Sequence, residues 1–134
     1  MTTVLTVGVF DMLHTGHIQL FRRARSLGDR LIVGVQESRA AMRSKRDCKL
    51  VYSTEERLFM VKALKYVDEV VPYKQVDELV PQVEFDILAV GPDQTHDAFR
   101  RAFEWCVDHG KRIEVLPRTE GISTSWLKQQ IKNM

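Results

Sequence analysis

The chain predicts an α/β fold: a Rossmann-like, open, five-stranded parallel sheet with helices on both faces. Strand-length apolar runs alternate with helix-length amphipathic segments along its whole length. The strand runs are short and almost continuously apolar, as strands buried on both faces are. Right-handed strand–helix–strand crossovers then stack such an alternation into one sheet. No repeat, low-complexity tract or linker breaks the pattern, so residues 1–134 read as one domain. Ligands of such sheets bind outside the carboxyl ends of the strands, near the switch point.

Residues 4–10 are rich in β-branched side chains and form the first strand. Residues 18–27 follow at helical spacing, with Ile18, Phe21, Ala24 and Leu27 inward, Arg22 and Arg23 outward, and Gly28 as the stop. Residues 31–35 are the second strand. Residues 36–50 carry Arg39, Arg43, Lys45, Arg46 and Lys49 against only Glu37 and Asp47, with no sustained apolar period, and read as a mobile basic loop. Ser53 and Glu56 form a capping box that opens a helix with Leu58, Val61 and Leu64 on one face. Residues 67–72 are the third strand and 76–80 a helical turn that Pro81 does not favour extending. Residues 85–90 are the fourth strand, ending in Gly91-Pro92. Residues 95–109 form a helix with Ala98, Phe99, Ala102, Phe103, Trp105 and Cys106 inward, stopped by Gly110. Residues 113–116 are the fifth strand and 123–132 the closing helix.

Composition narrows the function classes. The chain is 44% hydrophobic and 28% charged, the balance of an ordinary globular protein. Twenty basic residues against 18 acidic ones give a net charge of +2, too small to mark a nucleic-acid binder. Cys48 and Cys106 make no CxxC pair, so a zinc ribbon and a dithiol redox motif are both excluded. The start, Met1-Thr2-Thr3-Val4, has no basic n-region, and no apolar run approaches the ~18 residues of a membrane span. A cytoplasmic protein with free thiols, not inserted in a membrane, is the expectation.

The first strand ends in Gly8-Val9-Phe10-Asp11-Met12-Leu13-His14-Thr15-Gly16-His17. Two histidines three apart at a helix entrance face the same side. Gly16 lets a ligand approach the backbone, and the free amides and positive partial charge of the helix N-terminus favour an anion. Imidazoles there can donate to phosphoryl oxygens as charge builds in a transition state. The plainer readings are helix caps or solvent-facing rings. A third is a zinc pair completed by Asp93 or His96, although helical metal pairs more often include a carboxylate. Neither GxxxxGK[ST] nor GxGxxG occurs, so any nucleotide site is of another kind.

These residues closely resemble the HxGH signature of the small nucleotidyltransferases. Arg118-Thr119-Glu120-Gly121-Ile122-Ser123-Thr124-Ser125 resembles the RTEGIST segment of their cytidylyltransferase branch, and Tyr66-Val67-Asp68-Glu69-Val70 also looks like that branch. The resemblance runs from about Val4 to Ile131. In length and pattern it is strongest to the stand-alone glycerol-3-phosphate cytidylyltransferases. It implies transfer of a cytidylyl group from CTP to a phosphorylated alcohol, giving a CDP-alcohol and pyrophosphate.

The resemblance implies roles residue by residue. His14, His17 and Arg118 are the catalytic set, contacting the triphosphate and the transition state. Val9, Phe10, Asp11, Gly16, Lys45, Thr119, Gly121, Ile122, Ser123 and Thr124 bind the nucleotide. Arg57, Asp93 and Gln94 sit near the second substrate. Mg2+ is expected on the leaving phosphates, held mainly by nucleotide oxygens and water, with no protein metal ligands. A homodimer is the family's habit. The adenylyltransferase relatives usually show ISSxxR where this chain has Ile122-Ser123-Thr124-Ser125-Trp126-Leu127-Lys128, which tilts the base toward cytosine.

The chain also departs from the pattern. Valine stands at position 9, where glycerol-3-phosphate enzymes commonly carry threonine. Gly91-Pro92-Asp93-Gln94-Thr95-His96 stands where that branch resembles GDDWEG, so a tryptophan is missing. The acceptor could therefore be another polyol phosphate, an amino-alcohol phosphate or a sugar phosphate. His96 fits an exposed helix start equally well, and Trp105 fits the core or a dimer contact. The competing functions are an adenylyltransferase acting on FMN or a heptose phosphate, a histidine-based metal hydrolase, and a non-catalytic nucleotide sensor.

Overall fold

In a computed structural model of the protein, residues 1–44 and 49–134 are described. Five strands, β1 (Thr3–Gly8), β2 (Arg30–Gln36), β3 (Glu69–Tyr73), β4 (Ile87–Val90) and β5 (Arg112–Val115), form one parallel sheet in the order β3-β2-β1-β4-β5. The chain winds outward from β1 to β2 and β3, then crosses back to lay β4 and β5 on the other side of β1. The switch point therefore lies between β1 and β4.

Side-chain alternation along the strands sorts the core into two layers. Leu5, Val7, Ile32, Leu88 and Val90 pack on one side with α4 (Val76–Leu79), the 3-10 turn Val80–Gln82, and α5 (Asp97–Asp108). Val4, Leu31, Val33, Val35, Ile87 and Ala89 pack on the other with α1 (Thr15–Ser26) and α3 (Thr54–Lys62). Phe21 and Ala24 of α1, Val61 of α3, and Ala98, Phe99, Ala102 and Cys106 of α5 are buried at these faces. Burying a Val, Leu or Phe side chain contributes about 1.5–3 kcal/mol, so each helix is fixed by a few such residues.

The register decides where the crevice opens. β1 pairs with β2 from Thr3↔Arg30 to Gly8↔Val35, but with β4 only from Val4↔Ile87 to Thr6↔Ala89. Beyond Thr6 the two strands part, and the chain segments that follow them enclose the candidate site.

Three expectations need correction. The basic stretch 36–50 is not wholly loop: Ser38–Ser44 is a helix, α2, with Ala40 and Ala41 buried. Small alanines supply its apolar face, which a count of large apolar residues overlooks. Lys45 and Arg46, named in that reading, lie outside the described residues. The chain also continues through Pro81 as a 3-10 turn, because proline at the start of a turn gives up an N–H that needs no partner. Finally, α3 buries Arg57 as well as Val61, while Leu58 and Leu64 are only partly covered. The capping box at Ser53 and Glu56 is present as expected, with bonds of 3.1 Å in both directions.

Candidate active site

The two histidines form a capping box of their own. His14 is the N-cap of α1 in an extended conformation. Its Nδ1 accepts from the Gly16 N–H at 3.0 Å, and its own backbone N–H donates to Nδ1 of His17 at 3.2 Å. Each ring spends Nδ1 as an acceptor, so the ring proton sits on Nε2 in both. The rings stack with centroids 3.8 Å apart. Burial pushes the His17 pKa down to about 4, the neighbouring His14 pushes it the same way, and Asp11 pulls weakly upward. His14 is also lowered, by its own burial. At neutral pH the site thus holds two uncharged imidazoles, each with one N–H to offer. The first turn of α1 contains no acidic residue to repel an incoming anion or take up its amide donors.

The backbone before the histidines is strained to set them. Phe10 and Met12 adopt positive φ angles of 55° and 47°, a conformation costing about 1–3 kcal/mol per non-glycine residue. Phe10 turns back into the core, edge-on to His17 at 5.6 Å and to Phe21 at 4.9 Å. Gly8 is required beneath it, since a Cβ there would lie 2.8 Å from the Phe10 ring. Gly16 is required by the cap, since its Cβ would fall 2.7 Å from the His14 ring.

The segment after β5 lies across this turn. Ile122 packs over Gly16, its Cγ2 3.5 Å from where a Gly16 Cβ would stand. The Thr124 hydroxyl donates to the Asp11 carbonyl at 3.1 Å, and Arg23 donates to the Pro117 carbonyl at 3.2 Å. Ser123 caps α6 (Thr124–Lys132) by accepting from the Trp126 N–H at 3.0 Å. Gly121 takes a φ of 82°, which suits glycine. Thr119 has a buried hydroxyl with no hydrogen-bond partner among the described residues. Arg118 is largely exposed, its guanidinium 3.8 Å from the equally exposed Asp93 carboxylate at the rim. Residues about a hundred positions apart are thereby joined at one strand end, as the two signatures require.

Three side chains of the candidate set are turned inward. The buried Asp11 carboxylate accepts from the Val51 and Tyr52 amides at 2.7 and 3.1 Å, so it anchors the segment before α3 instead of facing a ligand. Arg57 is fully buried. It donates to the carbonyls of Val9, Gln36 and Tyr52 at 2.8, 2.6 and 3.3 Å, and to the Ser38 hydroxyl at 2.9 Å. That binds the ends of β1 and β2 to α2 and α3, and places Arg57 in the scaffold rather than against a substrate. Val9 contributes its carbonyl to that arrangement. Gln94 accepts from the Gly91 N–H at 3.0 Å and donates to the Val7 carbonyl at 2.8 Å. Both ends of its carboxamide are engaged by backbone. Val51 and Tyr52 are not among the residues the sequence singles out. The capping box at Ser53 is the signal available for them, because it places them just ahead of α3.

Among the described residues no three His, Cys, Asp or Glu side chains stand together as a metal site. The donor set around the histidines consists of N–H groups, which suit phosphate oxygens; a metal fits this site as an ion carried on those oxygens. No helix among the described residues is long and apolar enough to cross a membrane. A groove of about 300 Å³ lies on the outer side of α3, lined by Tyr52, Glu55, Glu56, Phe59 and Met60, and holds none of the candidate site residues.

A family model described as cytidylyltransferase-like matches residues 5–130. The chain belongs to that family. It is therefore a nucleotidyltransferase, and both signatures fall inside the matched region. Glycerol-3-phosphate cytidylyltransferase of Bacillus subtilis strain 168 is 34% identical over 137 residues, with 100% of both chains covered. The bifunctional protein HldE of Yersinia enterocolitica is 36% identical over 133 residues, covering 97% of this chain but only 28% of that protein. Among solved structures, the lipopolysaccharide core biosynthesis protein from Thermoplasma volcanium GSS1 superposes with a TM-score of 0.72 at 26% identity, covering 89% of this chain and 97% of that one. The Rossmann-like parallel α/β fold expected from the alternation of elements is shared by that solved structure.

Proposed function

We propose that the chain transfers the cytidylyl group of CTP to a small phosphorylated alcohol, glycerol 3-phosphate or a related polyol or amino-alcohol phosphate. The products are a CDP-alcohol and pyrophosphate. The observation that carries this reading is the pair of neutral histidines, Nε2 protonated, set at a helix N-terminus beneath the RTEGIST segment.

A phosphate oxygen of the acceptor attacks the α-phosphorus of CTP in line. The new P–O bond forms as the bond to pyrophosphate breaks, and the bonding pair leaves with pyrophosphate. Such a transfer depends on positioning and charge neutralisation more than on covalent help. Nε2–H of His14 and of His17 would donate to oxygens of the triphosphate as their charge grows. Because the imidazoles are already neutral and capped, neither has to lose a proton or reorient for this. Arg118 would leave its weak pairing with Asp93 and bring its planar fork to a phosphate. The amides and hydroxyls of residues 119–124 would hold the nucleotide, and Asp93 would stand beside the acceptor. Mg2+ on the phosphate oxygens would supply further charge neutralisation. Arg57, Asp11 and Gln94 serve by fixing the backbone from which these groups project.

Residues 1–134 act in this reading as one domain, in the cytoplasm where CTP is available, and as a homodimer. Cytosine is favoured over adenine by the resemblance of residues 122–128, which carry Lys128 where adenylyltransferase relatives usually carry arginine. Pyrophosphate release with Mg2+ and CTP or ATP, across a panel of phosphorylated alcohols and sugars, tests the proposal. Turnover with CTP and one acceptor is expected. Turnover with ATP alone would replace it with adenylyl transfer, and binding of CTP without turnover on any acceptor would favour a sensor.

A further inference from the structure

We propose that Gln94 is a positioning residue of the transfer reaction, its carboxamide wedged between the parting ends of β1 and β4 to hold the strand end from which the histidine turn starts. This role rests on the transfer reading above. The last β1–β4 pair is Thr6↔Ala89; one residue further along β1 and two further along the other chain segment, Val7 and Gly91 are joined through Gln94 instead. One side-chain amide thus stands in for a backbone amide across the split. Thr6 marks the same seam from the other direction, its buried hydroxyl donating to the Ala89 carbonyl at 2.8 Å.

Closure of the local turn does not need that side chain. The Gln94 N–H already donates to the Gly91 carbonyl at 3.2 Å, and Pro92 presets the second position of such a turn. The bond to Val7 reaches 87 positions along the chain and serves β1 alone. From Val7 the path to the chemistry is short and fully constrained. Gly8 lies against the Phe10 ring, the Val9 carbonyl is held by Arg57, and Phe10 meets His17 edge-on. A shift of the β1 end therefore reaches the histidines with little slack to absorb it, and misplacement by about 1 Å can cost on the order of 100-fold in rate.

Gln94→Leu and Gln94→Glu test this in the full chain, with CTP, Mg2+ and glycerol 3-phosphate or whichever acceptor the wild-type protein uses. Gln94→Leu is expected to lower kcat by about 10- to 100-fold, with KM for CTP little changed. Gln94→Glu should match that loss near pH 8, where its carboxylate faces the Val7 carbonyl without a proton to donate. Facing a carbonyl, that carboxyl should hold its proton above the ordinary ~4.3, so activity should recover relative to wild type as the pH falls toward about 5 and the donor returns. Gln94→Leu should show no recovery.

Wild-type kcat in Gln94→Leu, or a Gln94→Glu profile parallel to wild type, would overturn the proposal. If Gln94→Leu does not fold, the recovery of Gln94→Glu decides alone. If the wild-type protein turns over no acceptor, the transfer reading fails separately, and the imidazole NMR signals of His14 and His17 decide the positioning claim. Signals that move in Gln94→Glu and return at low pH support it, and signals unmoved at any pH overturn it.

Discussion

The first and last crossovers of the sheet meet over the same strand ends but hold their functional groups by different means. In the β1–α1 turn the polar groups are tied down: the two histidines cap each other's backbone, Asp11 is bound to two amides, and strain at Phe10 and Met12 is held by the core. In the segment from β5 to α6, Arg118 and Thr119 are not tied down in this way. Arg118 is mostly exposed, and the Thr119 hydroxyl has no hydrogen-bond partner among the described residues. Among the described residues, the Thr124–Asp11 bond and the packing of Ile122 on Gly16 join it to the first turn, and Arg23 in the last turn of α1 holds the Pro117 carbonyl. A donor that must meet charge developing in a transition state gains from being fixed beforehand. A segment that must admit and release a nucleotide gains from keeping its strongest groups available. Substitutions in the first turn should therefore change stability and turnover together, whereas those in the last segment should change turnover alone.

The largest effect belongs to the scaffold of the fixed half. Arg57→Met removes the donor shared by the Val9, Gln36 and Tyr52 carbonyls, and leaving several buried acceptors unpaired costs about 1–3 kcal/mol each. A destabilisation above about 3 kcal/mol is expected in urea unfolding, with activity lost as the fold is lost. Normal stability with a raised acceptor KM would return Arg57 to the substrate-binding role read from the sequence. Next come His14→Ala and His17→Ala. Each should lower kcat by about 100- to 1,000-fold, the ~2.7–4 kcal/mol of one oxyanion donor. Far-UV circular dichroism is expected to show the fold retained. Near-normal turnover in either variant would remove the histidines from the chemistry.

The third prediction concerns acid. Folding lowers the His17 pKa from 6.5 to about 4, so between those values the unfolded chain binds the proton first. The stability due to the neutral imidazole is complete above about pH 6.5 and falls as the pH drops toward 4, by roughly 3 kcal/mol in all. The lowered proton affinity of His14 adds in the same direction. Denaturation midpoints measured across that range should decline in the wild-type protein and much less in His17→Gln. Equal slopes would mean that the ring is not held neutral by its surroundings.

One half of this contrast is more legible in the sequence than the other. All five strands are readable because apolar runs leave few alternatives, with boundaries shifting by a residue or two, as at β3 (Glu69–Tyr73) and β4 (Ile87–Val90). The helix α2 is not, because two buried alanines give no periodic signal in a basic stretch. His14, His17 and residues 118–124 are placed at one site by their motifs, and their elements bring them together. Asp11, Arg57 and Gln94 are legible as neighbours of the site but not as internal anchors. A polar residue at a strand end reads the same whether it faces a ligand or a backbone amide, and only the fold decides which. The tautomer of the histidines is hidden for the same reason, since it depends on which backbone N–H each Nδ1 meets.

The smallest structural effect, and the sharpest test of the contrast, is at Arg118. Its pairing with Asp93 spans 3.8 Å between two exposed side chains, so it contributes no more than about 1 kcal/mol to stability. Arg118→Ala should leave the melting temperature nearly unchanged. A charge-assisted hydrogen bond to a phosphate is worth about 1.5–3 kcal/mol, so kcat/KM should fall by roughly 10- to 150-fold. Arg118→Lys should recover only part of that, because an ammonium keeps the charge but loses the planar fork. Melting curves and steady-state kinetics on the same three proteins would check it. If Arg118→Ala lost as much stability as His17→Ala, the last segment would be held as firmly as the first turn. If it lost neither stability nor turnover, Arg118 would be a rim residue, and the nucleotide's phosphates would be held by the histidines and the α6 turn without it.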